Sequence, residues 1–308
     1  MTSGDHRVAR FADPSVAFGP AALHRAFRAA HAHHRRDPEA AAFLLEAAPR
    51  IVALSRALHA GTWRPSPGRS FLVRDPKPRT VVQAGFADRV VHHALVAELE
   101  RGIGPLLDPD SYACRRGRGL HRAVARAQVL AAQQPYALGL DVRHYFAALP
   151  HRVVLETLAA WRVPDFHLGL CRIILAVGAP DVADDEPRGM PIGLLTSQLF
   201  GNVGLHPAEE LLRRDHPALE HVRYMDDLLV FGPDRRSLWR AHRDLVALLR
   251  VAGLELKAAM TRLQPVTEGV PFCGVRIFPA SVRVDHRALV RAGRRVRRRS
   301  AERRVGKE

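Results

Sequence analysis

Residues 221–232 read HVRYMDDLLVFG, and this stretch decides how the rest of the chain is interpreted. Apolar, β-branched and aromatic residues flank an adjacent pair of aspartates and end at Gly232-Pro233. The pattern predicts two short strands joined by a tight turn, with Asp226 and Asp227 in the turn. Because adjacent carboxylates repel each other, apolar flanks around them imply a nearby positive charge or a metal ion. Mg²⁺ suits such ligands, since it binds one or two carboxylates and completes its shell with water and substrate phosphate.

The composition favours a catalytic interpretation of this turn over a simple polar turn, in which Asp is common anyway. The chain has 308 residues, enough for two ordinary domains or one large domain with subdomains. Its formal net charge is +16, which indicates a polyanionic partner, most simply nucleic acid. Three widely spaced cysteines without metal-ligand spacing predict a reduced, cytoplasmic protein. No apolar run is long enough for a membrane span, so we expect no membrane partner.

A second carboxylate lies in residues 136–151, YALGLDVRHYFAALPH. The apolar residues Ala137, Leu138 and Leu140 predict a short buried strand that ends at Asp141. A lone Asp at the end of a strand is often only a helix cap. If this strand lies beside the Asp226-Asp227 turn, however, the three carboxylates can hold two metal ions about 3.5–4 Å apart, as in-line phosphoryl transfer requires.

Two basic segments are candidates for phosphate binding. Residues 70–83, SFLVRDPKPRTVVQ, predict a hairpin from which Lys77 and Arg79 project. A solvated turn is one interpretation and a phosphate clamp is the other. Residues 111–124, SYACRRGRGLHRAV, place Arg115, Arg116 and Arg118 among glycines. They lack the complete pattern of an ATP-binding loop, so we predict contact with a nucleic-acid backbone.

The remaining segments predict helices, one hairpin and a basic tail. Residues 189–214 lead from a Gly- and Pro-marked loop into a helix that opens near Ser197. A helix is predicted at residues 234–252 and a hairpin at residues 269–278. Residues 287–307 form a dense arginine run, either a basic helix or a disordered arm. There we expect Arg294 and Arg295 to contact nucleic acid or an accessory protein.

Taken in order, these segments resemble a reverse transcriptase from about Gly61 to Pro279. Tyr224-Met225-Asp226-Asp227 is similar to the catalytic turn of that family, and Asp141 with Tyr145-Phe146 is similar to its first palm motif. The resemblance implies an α+β right-hand fold with fingers, an antiparallel palm sheet backed by helices, and a short thumb. It implies an N-terminal extension and fingers at residues 1–135 and a palm at 136–280. The palm includes a fingers-proximal segment at about 165–195, and a short basic thumb or tail follows at 281–308.

The resemblance also implies roles for individual residues. Catalysis is expected from three aspartates, and two Mg²⁺ ions, or Mn²⁺ in their place, are expected at Asp141, Val142, Asp226 and Asp227. Template RNA, a DNA primer and deoxynucleoside triphosphates are the implied partners. Nucleotide contacts are expected from Lys77, Arg79, Tyr145, Phe146 (the aromatic gate against ribonucleotides), Ile192, Gly193, Gln198 and Lys257. Nucleic-acid contacts are expected from Arg115, Arg116, Arg118, Tyr224, Met225, the primer-grip residues Phe272 and Gly274, Arg294 and Arg295.

The motif at residues 192–198 indicates which group of reverse transcriptases the chain resembles. Group II intron and retron relatives carry Gln-Gly-x-x-x-Ser-Pro, whereas residues 192–198 read IGLLTSQ. Ile192 and Gln198 make the chain similar to reverse transcriptases of diversity-generating retroelements. That similarity implies cDNA synthesis with errors at template adenines and a small basic accessory protein. Because isoleucine lacks the amide that sits beside the incoming nucleotide in relatives, we predict that Ile192 lowers fidelity; a packing role is the rival interpretation.

The chain departs from the family pattern at two places. Met260 stands where relatives commonly have a lysine on the pyrophosphate side, and Lys257 is its candidate substitute. The segment after Pro279 is short for a thumb. The alternatives are a retron-like or phage-defence reverse transcriptase, and a catalytically idle nucleic-acid-binding subunit. Three clustered aspartates argue against the idle subunit, since nothing in nucleic-acid binding requires them.

Overall fold

The computed structural model of the protein describes residues 10–32, 34–74, 78–177, 186–285 and 290. The chain divides into two compact units, each built from two segments. The first unit is drawn from Met1–Asp108 and His144–Pro207, and the second from Pro109–Arg143 and Ala208–Glu308. Among the described residues, no helix has both the length and the apolar character needed to cross a bilayer.

The helices of the described residues are, in chain order, α1 (Pro14–Ala17), α2 (Pro20–Ala32), α3 (Pro38–Leu45), α4 (Ala47–His59), α5 (Phe86–Ile103), α6 (Leu120–Gln133), α7 (Tyr145–Ala148), α8 (His151–Ala160), α9 (Asp165–Ala176), α10 (Leu195–Gly204), α11 (His206–Asp215) and α12 (Arg235–Val251). The strands are β1 (Arg69–Val73), β2 (Arg79–Gln83), β3 (Tyr136–Asp141), β4 (Glu220–Tyr224), β5 (Asp227–Gly232), β6 (Arg262–Pro265), β7 (Val270–Phe272), β8 (Val275–Ile277) and β9 (Val282–Val284). Short 3₁₀ turns cover Ala258–Met260 and Val266–Glu268.

The first unit is built around α5, which packs against α2 on one side and α10 on another. Helix α5 buries residues around most of its circumference, including Val90, Val91, Leu95 and Leu99, as a central helix must. The β1–β2 hairpin belongs to this unit and pairs Arg69 through Val73 with residues of β2 in antiparallel register. Its existence confirms the hairpin predicted at residues 70–83.

The second unit is built on an antiparallel sheet with the strand order β4-β5-β3-β6. Alternate residues of β5 enter two different cores, as the period of two in a strand requires. Leu229 and Phe231 join the core formed with α6, β7 and β8. Leu228 and Val230 join the core formed with α11 and α12. Both faces are therefore covered, which explains the continuous apolar run of the sequence there.

The predicted fold class is confirmed: helices back antiparallel sheets in an α+β arrangement. The strands predicted on either side of Asp226 and the helix predicted at residues 234–252 are also present. The predicted hairpin at residues 269–278 is present as β7–β8, and a third strand, β9, extends it. The sequence analysis missed β9, since Val-Arg-Val after a turn is too short a pattern to predict a strand.

Candidate active site

Three aspartates lie at one end of the second unit's sheet. Strand β3 ends at Asp141, β5 begins at Asp227, and these two residues are direct partners in the antiparallel register. Asp226 precedes Asp227 in the turn that joins β4 to β5. The pairing of adjacent strands therefore brings together carboxylates that are 86 residues apart in the chain.

The turn that carries Asp226 is held in an unusual backbone conformation. Tyr224 pairs with Asp227, which leaves Met225 and Asp226 as a two-residue loop. Met225 has a φ of 58°, in the left-handed region that side chains other than glycine rarely adopt. Such a conformation costs on the order of 1–3 kcal/mol and persists where surrounding contacts hold it.

Arg223 supplies one of those contacts from inside the protein. Its Nη1 donates to the carbonyl oxygen of Met225 at 2.9 Å. Its Nε and Nη2 donate to the two carboxylate oxygens of Glu209, at 2.6 and 2.9 Å, and Nη2 also donates to Ser111 Oγ. Arg223 and Glu209 have side chains that are 1% and 0% exposed, so this is a bidentate pair in the interior. Arg223 thus links the turn at Met225 and Asp226 to α11.

The pKa of Asp227 lies well above the usual value for an aspartate. Burial raises the pKa of Asp227 to about 7, and the charges of Asp141 and Asp226 act in the same direction. The backbone N–H of Cys273, at the β7–β8 turn, donates to Asp227 Oδ2 at 3.1 Å and opposes that rise. A carboxylate with a raised pKa among other carboxylates is the environment that a divalent cation relieves.

Lys257 contacts the first of the three aspartates. Its Nζ donates to Asp141 Oδ1 at 2.5 Å, and its backbone N–H donates to the carbonyl oxygen of Asp141 at 2.8 Å. Met260, the residue at the usual lysine position, is about half exposed. The ammonium of Lys257 therefore places a positive charge directly beside the carboxylate of Asp141.

Three further predicted site residues near the aspartates, Val142, Phe272 and Gly274, have structural roles in the described residues. Val142 is buried and bridges Leu256, and the two hydrogen bonds of this bridge use the carbonyl of Asp141 and the N–H of Arg143. Phe272 is buried in the core with α6 and β5. Gly274 has a φ of 85°, which suits the tight β7–β8 turn.

The predicted nucleic-acid loop, residues 111–119, keeps two of its three arginines exposed. Arg116 and Arg118 are exposed, and the guanidinium of Arg118 lies over the Tyr112 ring at 5.4 Å. Arg115 is half-buried and donates to the carbonyl oxygen of Ser111. The exposed pair is available to phosphates, whereas Arg115 also holds the loop together.

In the first unit, the Ile192-Gly193 segment docks on β2. The N–H of Val82 donates to the carbonyl oxygen of Ile192 at 2.7 Å, and the Ile192 side chain is half-buried. Gly193 has a φ of 113°, and a Cβ there would lie 2.6 Å from the carbonyl oxygen of Val82. Only glycine fits this close approach. Arg79 is exposed at the start of β2.

The aromatic pair after β3 is divided between interior and surface. Tyr145 is buried and its hydroxyl donates to the carbonyl oxygen of Gly201 at 2.6 Å, so it anchors α10. Phe146 is half-buried and lies edge-on to Tyr145. Gln198 is half-buried on α10. Lys77, Arg294 and Arg295 lie outside the described residues.

The three cysteines, all within described segments, form no disulfide. Cys114 is exposed, Cys171 is fully buried and Cys273 is half-buried. Burial raises the pKa of Cys171 to about 12, and burial together with the charge of Asp227 raises the pKa of Cys273.

The Arg223–Glu209 pair and the bond from Cys273 to Asp227 were not predicted from the sequence. Arg223 had a signal, since it is a charged residue within an otherwise buried strand. Such a residue needs an interior partner of opposite charge, but its spacing from Glu209 does not identify that partner. The hydrogen bond from Cys273 to Asp227 had no signal in the sequence, because every residue except proline has a backbone N–H.

Known proteins were compared with this chain. The family model of the reverse transcriptase (RNA-dependent DNA polymerase) matches residues 74–277. Among solved structures, Candida albicans telomerase in complex with a fragment of telomeric RNA is similar, with a TM-score of 0.53 and 13% identity over 72% of this chain and 47% of that chain. No curated protein gave a significant match.

Two Candida tropicalis telomerase structures are also similar. The apo enzyme truncated from its C-terminal domain gives a TM-score of 0.51 and 12% identity over 75% of this chain and 59% of that chain. The other apo structure gives a TM-score of 0.52 and 11% identity over 72% of this chain and 48% of that chain. This chain spans about half the length of these relatives, and at such identity the likeness shows the fold alone. The family match covers about two thirds of the chain, so the chain belongs to the reverse transcriptase (RNA-dependent DNA polymerase) family.

Proposed function

We propose that this chain is an RNA-directed DNA polymerase that copies an RNA template by adding deoxynucleotides to a DNA primer. The observation that carries the proposal is the direct pairing of Asp141 with Asp227, with Asp226 in the adjoining turn. In-line nucleotidyl transfer needs such a cluster of oxygen ligands.

The donor set fits divalent cations. Asp141, Asp226 and Asp227 supply hard carboxylate oxygens, which Mg²⁺ prefers and Mn²⁺ also accepts. The pKa of Asp227, raised to about 7 by burial, and the ammonium of Lys257 at Asp141 both indicate that this cluster requires positive charge. When bound there, two ions would activate the primer 3′-hydroxyl and stabilise the leaving pyrophosphate.

The chain's own residues prepare the site in three ways. Arg223 holds the carbonyl of Met225 and therefore the backbone of the catalytic turn. The N–H of Cys273 orients Asp227. Lys257 neutralises Asp141, and with cations bound at the carboxylates its ammonium would be available to the triphosphate.

Contacts with substrates follow from the family resemblance. Lys77 and Arg79 would bind the triphosphate, and Phe146 would lie against the sugar. Arg116 and Arg118 would contact nucleic-acid phosphates, since both are exposed. The division into fingers, palm and thumb stays a prediction.

The test is incorporation of deoxynucleotides on an RNA template with a DNA primer in Mg²⁺ or Mn²⁺. We expect Asp226→Asn and Asp141→Asn to abolish incorporation, because each removes a ligand charge. Asp234→Asn is the matched control: Asp234 is an exposed helix cap, and asparagine caps equally well. Folded Asp226→Asn protein with unchanged incorporation would contradict the proposal. A wild-type chain that binds primer and template without incorporation would instead indicate the idle binding subunit.

We infer further that the enzyme belongs to the diversity-generating type and makes errors at template adenines, with Ile192 as the residue that lowers fidelity. The half-buried Ile192 side chain, without a hydrogen-bonding group, supports this. Ile192→Gln should lower misincorporation opposite adenines several-fold, and Ile192→Val is the matched control. An unchanged error spectrum in the cDNA, with lower protein stability, would show that Ile192 only packs and would favour a retron-like or defence enzyme.

A further inference from the structure

Helix α12 has one buried face and one exposed face of unusual composition. Leu238, Ala241 and Leu245 pack into the core beneath the sheet. On the outer face, Trp239 and Val246 recur at helical spacing, and their exposed fractions are 46% and 39%. Tryptophan and arginine are both enriched at contact surfaces relative to the rest of a protein surface.

The outer face is also strongly basic. The helix contains five arginines, and all of them are exposed. Counted at 100° per residue, Arg236, Arg243 and Arg250 lie on the same side of the helix as Trp239, whereas the guanidinium of Arg235 lies over the Tyr136 ring at 5.6 Å. The helix has one carboxylate, Asp244, which pairs with His216 Nε2 at 2.9 Å away from that side. A face with this charge complements a polyanion.

A cavity of about 610 Å³ opens beside Trp239. Its walls are α12 and the segment that follows the helix, with His242, Val246, Leu254 and Leu256 among the lining residues. The ring of His242 lies edge-on to the indole at 5.1 Å, and burial lowers the pKa of His242. The cavity has the size of a site for a small organic group.

We propose that the outer face of α12 binds single-stranded nucleic acid, with a base stacked at Trp239 and the flanking arginines on the phosphates. Basic grooves with an aromatic platform bind single strands in this way, since every base has a ring face to stack. An acidic protein segment would use the arginines but would gain nothing specific from an exposed indole. The cavity is lined by residues other than the three aspartates, so this is a second contact surface, and it does not depend on the proposed reaction.

The experiment measures binding of a short labelled single-stranded RNA to the full chain carrying Asp226→Asn, so that no synthesis can occur. Every sample contains saturating unlabelled primer–template duplex to occupy other contacts. Trp239→Ala should weaken binding about tenfold, because one base stack is lost. Trp239→Phe, which keeps a ring, should retain most of the affinity.

Charge is tested by Arg243→Gln with Arg250→Gln, which should weaken binding and lower the log–log salt slope by about two. The matched control is Arg25→Gln with Arg28→Gln, which removes two exposed charges from α2 and should leave binding unchanged. Equal losses in both double variants would show an effect of net charge alone and overturn the proposal. Wild-type affinity in Trp239→Ala would also overturn it, and displacement of that RNA by polyglutamate would then indicate an acidic protein partner.

Discussion

The two antiparallel hairpins β1–β2 and β4–β5 both carry predicted substrate-binding residues, yet they differ in how much protein surrounds them. Every residue of β1 is exposed. In β5, all residues after Asp227 are buried, and in β4 the Arg223 side chain donates to Glu209, to Ser111 and to the carbonyl oxygen of Met225. The hairpin with the carboxylates is therefore organised by the fold itself. The hairpin with the cations is exposed along the whole of β1, so we expect its own packing to contribute less to stability.

The largest expected effect is at Arg223. Arg223→Met removes the guanidinium that binds both oxygens of the buried Glu209 carboxylate, and this should lower the free energy of unfolding by about 3–5 kcal/mol. The double variant Arg223→Met with Glu209→Leu should recover most of that stability, since an apolar pair replaces the ion pair. Its rate of nucleotide incorporation should nevertheless stay below that of the wild type, because the carbonyl oxygen of Met225 no longer accepts a hydrogen bond from Arg223. Urea unfolding and kcat separate the two effects, and a double variant with wild-type kcat would show that Arg223 has no part in positioning the turn.

A pH effect is expected next, where α5 packs against α10. His92 is buried with its Nδ1 3.2 Å from Thr196 Oγ1, and burial, with a smaller contribution from His93, lowers the pKa of His92 to about 4. A lowered pKa in the folded state means that stability is present above pH 6.5 and is lost as the pH falls toward 4. The loss attributable to His92 should reach about 3 kcal/mol. Urea unfolding across this pH range should show a shallower dependence in His92→Gln than in the wild type; identical curves would refute the assignment.

A smaller effect is expected where β2 meets Ile192. Gly193→Ala introduces a Cβ against the carbonyl of Val82 and should cost about 1–3 kcal/mol. Gly61→Ala is the matched control, because Gly61 also has a positive φ but has open space around it. Hydrogen exchange at the Val82 amide should accelerate in Gly193→Ala and stay unchanged in Gly61→Ala. Equal exchange in both variants would show that the close approach does not hold the hairpin.

The smallest effect is expected on the exposed hairpin. Phe71→Thr, at a side chain about half exposed, should change the free energy of unfolding by less than about 0.5 kcal/mol. Leu229→Ala, in the buried hairpin, should cost about 2–5 kcal/mol. Thermal unfolding of both variants checks the comparison directly. Similar losses would mean that β1–β2 is as firmly packed as β4–β5.

The sequence predicted the strands around Asp226 and the end of β3 at Asp141 because a buried strand has a strong apolar signal and a clear breaker. It could not predict the partner of Arg223, since side chains that meet through tertiary packing leave no fixed spacing. Tyr145 illustrates the same limit: the family resemblance implies a nucleotide contact, which stays a prediction, but no sequence pattern indicated that its hydroxyl donates to the carbonyl oxygen of Gly201. Local pattern predicts elements, and packing decides which side chains remain available.

The different environments of the three cysteines have a practical consequence for spectroscopy. The raised pKa values of Cys171 and Cys273 keep both thiols protonated at neutral pH, and Cys171 is also sealed in the core. A maleimide dye should therefore react first at Cys114, which is exposed in the arginine-bearing loop at residues 111–119. The natural chain thus offers a single labelling position, without substitutions, from which arrival of a nucleic acid at that loop can be followed by fluorescence.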